Sequence, residues 1–248
     1  RQKSSLSRAF SSNNLKRGKA WDPREIIDAL STHIANAGSP GVAEALIGKL
    51  SAAGVDLSGA QKQKSGLLSR RRSVDFLADR TKLVRLAVDA GNVDMVHVLL
   101  PHADSFSLDA SIPVAIRKGD AQTVELLLRY GANTGETADG QDAFRHACAI
   151  HGQDQMISMI VSSVGRPSPL LVSQALCDAS RSGSLENVLQ LSRSTADGNH
   201  NQAEALISAV KMGRKDIAVA IIMGNKPPQA PGLNEAFRTL YDHLSLSP

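Results

Sequence analysis

The chain has 248 residues, enough for one or two ordinary domains with a sizeable core. Apolar residues make up 42% but aromatics only 3%, which suits a stack of short aliphatic helices better than one aromatic-rich core. The net charge of +4 is unevenly spread, and no apolar run approaches the ~18 residues that cross a bilayer, which excludes a helical membrane span.

Residues 1–20 carry Arg1, Lys3, Arg8, Lys16, Arg17 and Lys19 with no acid and no periodicity, and read as a flexible basic arm. Their start at Arg1 instead of Met reads as a piece of a longer polypeptide, and no apolar stretch follows to make a signal peptide. A first helical pair is expected over residues 21–57, opening on the apolar series Ile26, Ile27, Leu30 and Ile34. Trp21 reads as a cap on the exposed end of that pair, with a partner anchor as the alternative.

Residues 58–78 form a second acid-free stretch, holding Lys62, Lys64, Arg70, Arg71 and Arg72. Arg70-Arg71-Arg72-Ser73 has the form of a site for a basophilic kinase, where a phosphate would add about −1.5 to −2 charge beside three arginines. The plainer alternative is a solvated insertion. Without these two segments the chain keeps 17 basic residues against 24 acidic, a balance of −7. An acidic body with two basic attachments is the expectation, and nucleic-acid binding by the body is not.

Residues 79–225 carry repeats two to six, clearest between residues 83 and 133, and beyond residue 140 another helical-pair solenoid is the alternative. Counting the pair before the insertion, six glycines mark it: Gly38, Gly91, Gly119, Gly152, Gly183 and Gly213, the last five spaced by 28, 33, 31 and 30 residues. Four positions before each stands Ile34, Ala87, Ala115, Cys148, Ala179 or Ala209. Five positions after stands Ala43, Val96, Val124, Ile157, Val188 or Ala218, and eight after stands Leu46, Leu99, Leu127, Ile160, Leu191 or Ile221. A glycine can take the left-handed conformation that stops a helix. The small residue lets two helices approach, and the aliphatic pair supplies a packing stripe. A unit of about 30 residues cannot bury its own face, so stacking makes the core. Residues 226–248 read as a terminal capping helix or the first half of a further repeat, patterned by Leu233, Phe237, Leu240 and Tyr241.

Ala115-Ile116-Arg117-Lys118-Gly119-Asp120, followed by Val124-Glu125-Leu126-Leu127-Leu128-Arg129-Tyr130-Gly131-Ala132-Asn133, closely resembles the second half of an ankyrin repeat. Residues 86–100 and 34–56 look like poorer copies, and the resemblance covers roughly residues 24–225 with a gap. No copy carries the Thr-Pro-Leu-His opening of that family, so the likeness rests on the second helix and its exit. The fold it implies is an all-α, ankyrin-like helical-pair solenoid of about six repeats with a terminal helix.

Recognisable chemistry is sparse. Gly18-Lys19 lacks the glycine-rich turn of a phosphate-binding loop, and no nucleophile elbow or dinucleotide fingerprint occurs. His146, Cys148 and His151 are able to bind zinc, but offsets of two and five cannot converge from one regular helix. The acids stand singly. No cofactor, metal or catalytic residue is expected. Cys148 and Cys177 both fall in helical patterns, which suits reduced thiols and an intracellular, cytoplasmic or nuclear, setting.

The resemblance implies a scaffold that binds other proteins through loop tips and the inner helices of a concave face. Residues 104–109, 133–142 and 194–201 are the candidate tips, giving Asp104, Phe106, Asp109, Asn133, Thr137 and Asp139 as contact residues. Phe106 is an apolar side chain in a polar tip, an anchor or a plug between repeats. Two positions before three of the glycines stand Arg117, Arg181 and Lys211, either a ladder for an acidic partner or cations placed at helix C-termini by the helix dipole. A protein-interaction module is therefore expected. The alternatives are an array that its own basic arm or insertion occupies until phosphorylation releases it, and nucleic-acid binding by the basic segments alone.

Overall fold

The computed structural model describes residues 23–53, 55, 82–194, 202–225 and 227–245, and all regular structure among them is helical. The basic arm, Trp21, the insertion with Ser73 and the third predicted tip beyond Ser194 lie outside the described residues. In chain order the helices are α1 (Pro23–Ala35), α2 (Pro40–Ala52), α3 (residues 82–89) and α4 (Val93–Leu99), which runs into a 3-10 turn at Leu100–His102. There follow α5 (Ser105–Lys118), α6 (Ala121–Arg129), α7 (Ala138–Ala149), α8 (Asp154–Ser162), α9 (Pro169–Ser182) and α10 (Leu185–Ser194). The last are α11 (Gln202–Lys211), α12 (Lys215–Ile222) and α13 (Ala230–Ser245). Odd-numbered helices lead each pair and even-numbered helices follow.

The chain divides into two compact units between Val114 and Ala115. In the first, α2 packs on α1 and α4 packs on α2. In the second, the leading helices form one rank, α7 on α9, α9 on α11 and α11 on α13, while α6, α8, α10 and α12 form a parallel rank of following helices. Each of α10 and α12 also packs on its own leading helix. Packing between neighbouring helices is therefore present.

The turn between paired helices shows why glycine recurs. Gly91, Gly119, Gly152, Gly183 and Gly213 all have positive φ, from +67 to +83°. Past four of them the next amide, on Asn92, Asp120, Ser184 or Arg214, donates to the carbonyl of Ala87, Ala115, Ala179 or Ala209 at 2.9–3.2 Å. This bond satisfies a carbonyl that the helix end would otherwise orphan. The small column is fully buried in every repeat, as is the aliphatic eight positions past each glycine. The column five positions past is buried except at Ala218, which is half-buried.

The first pair departs from the expected register. There the left-handed residue is Ala37 (φ +51°), and the Gly38 amide donates to His33 O at 2.9 Å. The turn is one residue longer, with Ser39 leading into Pro40 at the start of α2. Gly38 is required for space instead: a Cβ there would fall inside the buried His33 ring, whose Nε2 donates to Ser39 O at 2.9 Å.

The terminal segment forms one helix. Helix α13 packs on α11 as α11 packs on α9, so it holds the place of a leading helix. Ala236 is its buried contact, and a Cβ on Gly232 would collide with Ala203 of α11.

Candidate functional site

The predicted tip at residues 104–109 is largely helix, not loop. Asp104 caps α5: its carboxylate accepts from the Ser107 amide at 2.8 Å and from the Ser107 hydroxyl. Its polar run resembles a loop in composition because side chains of this kind replace the missing backbone bonds of a first helical turn. Asp109 is buried within the helix, whereas Phe106 is 66% exposed.

The second predicted tip begins as a turn and ends in α7. Asn133 Oδ1 accepts from the Gly135 amide at 2.8 Å, and Thr137 Oγ1 accepts from the Gly140 amide at 3.0 Å as the cap of α7. Gly140 is fixed by this cap, since a Cβ there would strike Thr134 O. Asp139 sits exposed at the second position of the helix.

The cation column has a third role that neither sequence reading contains. The Arg117 guanidinium reaches across to Asp139 at the start of the next leading helix, and this bond holds it charged beyond its ordinary range. Arg181 pairs in the same way with Glu204 of α11, and at 3.5 Å with Asp178 of its own helix. Arg145 Nε donates to Asp178 Oδ2 at 2.7 Å, so α7, α9 and α11 are joined by Arg145, Asp178, Arg181 and Glu204 in series. Lys211, last of the column, is exposed at the end of α11.

Polar contacts, buried or part-buried, tie the following helices to the repeat before them. The Asn187 amide, fully buried, donates to Cys148 O at 2.9 Å and Ile150 O at 2.7 Å. Arg214 donates to Gly183 O at 2.5 Å, and Asn92 to Gly38 O at 3.4 Å. The column pattern could not show these, because it aligns equivalent positions without setting how far one repeat turns on the next.

An apolar feature that sequence reasoning half caught lies at the starts of leading helices. Phe106 stands 13 positions before Gly119, and Leu170 stands 13 before Gly183. Leu170 is 52% exposed at the second position of α9. Asp139 fills the same column in the intervening repeat. The signal for Leu170 was available in that alignment.

The remaining candidates hold no reactive geometry. Cys148 is fully buried and burial pushes its thiol well above the ordinary range, while His146 and His151 are exposed. Burial together with nearby Glu204 pushes the Cys177 thiol up to about 12. Neither cysteine is in a disulfide. Among the described residues no group of three His, Cys, Asp or Glu is placed to hold a metal, and no helix is long and apolar enough to cross a membrane. A shallow groove of about 580 Å³ runs between α2 and the end of α4, lined by Glu44, Ile47, His97, Pro101 and His102. No protein-family model matches this chain, and no curated protein matches it.

Proposed function

We propose that the chain is a non-catalytic, ankyrin-type interaction array that docks a partner polypeptide on the first turns of its leading helices. The observation that carries this is the recurrence of an exposed large apolar side chain, Phe106 and Leu170, at one repeat position. A lone exposed apolar residue is ordinary surface. Two at the same position of their own repeats make a recurring feature, each suited to fill a pocket on a partner. Asp104, Asn133 and Thr137 spend their side-chain bonds on local turns and caps, which rigidifies the backbone that presents these residues.

The ankyrin reading is supported by the two ranks of helices and the left-handed glycine turn repeated five times. It is further supported by the exit of α6. There Gly131 has φ +93° and the Ala132 amide closes on Leu127 O at 3.0 Å, within the stretch that carries the resemblance. Two buried cysteines outside any disulfide accord with a reducing compartment.

The test is site-specific photocrosslinking. A benzophenone side chain placed at position 106 or 170 of the full chain should capture the same protein from its native cells, and Phe106→Asp or Leu170→Asp should abolish that capture. Both positions are exposed, so circular dichroism should not change. If the two positions capture no common protein above a control placed at Glu125, the proposal fails.

A further inference from the structure

The connection from α8 to α9 has a chemistry that no other repeat shares, Arg166-Pro167-Ser168 leading into Pro169-Leu170 at the start of α9. It is seated on the turn of the preceding repeat: a Cβ on Gly165 would strike Ala132 O, and Pro167 is buried. Arg166 stays exposed, as do the three consecutive residues Ser168, Pro169 and Leu170. Leu170, 52% exposed, is the residue of this repeat to which the proposed function assigns docking.

Proline sets the form in which Ser168 is offered. A residue before proline is driven out of the helical region into extended backbone, and Ser168 has φ −61° and ψ 152°. Its hydroxyl oxygen accepts from the Leu171 amide at 3.2 Å as the cap of α9. Pro169 has no N–H. An exposed hydroxyl on extended backbone, followed by a residue without an N–H, is what a proline-directed protein kinase accepts. Such an enzyme binds a substrate strand and leaves an N–H at the following position without a partner. Ser39, before Pro40, is the other such serine among the described residues, and it is held differently. Its carbonyl accepts from the buried His33 ring at 2.9 Å, so offering Ser39 opens the turn over that ring. The Ser168 carbonyl instead takes the first bond of its own helix, from the Val172 amide at 3.0 Å.

We propose that Ser168 accepts a regulatory phosphate from ATP, transferred by a proline-directed kinase, and that this phosphate closes the Leu170 docking point. The closing rests on the docking reading proposed above; the modification does not. Ser168 Oγ forms a bond to the γ-phosphorus, the bond from that phosphorus to the β–γ bridging oxygen breaks, and ADP leaves with the electron pair. The hydroxyl proton passes to the carboxylate base of the kinase. The product carries about −1.5 to −2 charge and three acceptor oxygens. The cap survives this change. First-turn amides such as those of Leu170 and Leu171 have no intrahelical acceptor and suit a phosphate, and exposed Arg166 stands two residues back. Leu170 keeps its place, but a hydrated dianion now stands two residues from it. An apolar pocket that takes Leu170 would have to strip water from that charge and give it no partner.

The test treats the full chain, carrying a benzophenone at position 106, with ATP and a purified proline-directed kinase. Peptide mass spectrometry should place a phosphate on Ser168 and leave Ser39 unmodified. Hydrogen exchange of the Leu171 amide should slow in the product, a readout that needs no partner. The untreated chain should capture its protein from native cells, and treatment should lower that capture to the level of the control at Glu125. Ser168→Asn keeps a capping side chain but has no hydroxyl, so its capture should be the same with and without kinase. The inference is overturned if Ser168 stays unmodified, or if the phosphorylated chain captures as well as the untreated one. It is also overturned if kinase treatment abolishes capture by the Ser168→Asn variant, since the switch then lies elsewhere. Absence of capture by the untreated chain refutes the docking reading and with it the closing, while the phosphate and the Leu171 exchange still decide the modification.

Discussion

The turn of the first repeat offers the sharpest stability test, because two neighbouring residues have exchanged the roles that their identities suggest. Ala37 holds φ +51°, a conformation that costs a non-glycine residue about 1–2 kcal/mol. Ala37→Gly removes that strain at the cost of extra chain entropy, roughly 0.5–1 kcal/mol, leaving a net gain of about 0.5–1 kcal/mol. Gly38→Ala should do the opposite for a different reason. Its Cβ displaces the His33 ring, losing the bond to Ser39 O and forcing a buried side chain to repack. The lost bond contributes about 0.5–1.5 kcal/mol and the crowding about 1–3 kcal/mol, so a total near 2–3 kcal/mol is expected.

A double-mutant cycle isolates the cause. In a His33→Ala background no ring is left to collide with, and Gly38→Ala should then be nearly neutral, a coupling of about 1–2 kcal/mol. Repeat arrays can open from one end, so urea midpoints should be paired with hydrogen exchange of the α1 and α2 amides, such as Ile34 and Leu46. If Ala37→Gly destabilises, or if Gly38→Ala costs the same with and without His33, then Gly38 is the left-handed stop. The turn described here would then be one residue out of register.

Three further outcomes follow from the contacts between repeats. Asn187→Ala leaves the Cys148 and Ile150 carbonyls without their buried donor and should cost about 2–3 kcal/mol in urea denaturation; a loss below about 0.5 kcal/mol would refute the bridging role. Asp178→Asn breaks a partly exposed pair with Arg145 and should cost about 0.5–1 kcal/mol at low ionic strength, shrinking in 1 M salt, whereas a salt-independent loss would point to packing. The two thiols have folded pKa values raised by burial, so their contribution is full below the unfolded value near ~8.5 and is lost as pH rises toward about 12, the value of Cys177. The decline should approach about 1.4 kcal/mol per pH unit for each thiol, and the Cys148→Ala, Cys177→Ala variant should show a flatter profile between pH ~9 and ~10.5. Equal slopes for both proteins would exclude it.

What the sequence makes legible is whatever one repeat imposes on every other. A left-handed stop needs glycine, a close helix approach needs a small side chain, and both needs return at each turn, so Ala87, Ala115, Ala179 and Ala209 and their glycines stand out without coordinates. The first turn escaped because alanine tolerates positive φ at moderate cost and a real glycine stood one residue on. Ser39-Pro40 carried the usable signal, since proline favours the first helical position and so sets the turn length. The tip at residues 104–109 was misread because a capped first turn and a loop share the same polar composition. Asn187 and Arg145 were illegible for another reason: their partners lie 33–39 residues away, and reaching them depends on the rotation between repeats.

The cation column shows how that rotation changes a functional reading. Read along the chain, Arg117 and Arg181 are either anchors for an acidic partner or complements to a helix dipole. Across the repeats, each meets an acid on the next leading helix, Asp139 or Glu204. Glu204 lies 23 residues past Arg181, too far along the chain for local pairing to suggest, and Asp139 stands 22 past Arg117. An acidic partner would first have to displace those carboxylates and then replace interactions worth only about 0–1 kcal/mol each at an exposed site. That exchange yields little net binding. Phe106 and Leu170 face no such competition, because covering the part of each that is still exposed contributes about 1–2 kcal/mol that no internal contact already supplies. The charges hold one repeat to the next, and under the proposed function the exposed apolar residues are what a partner would cover.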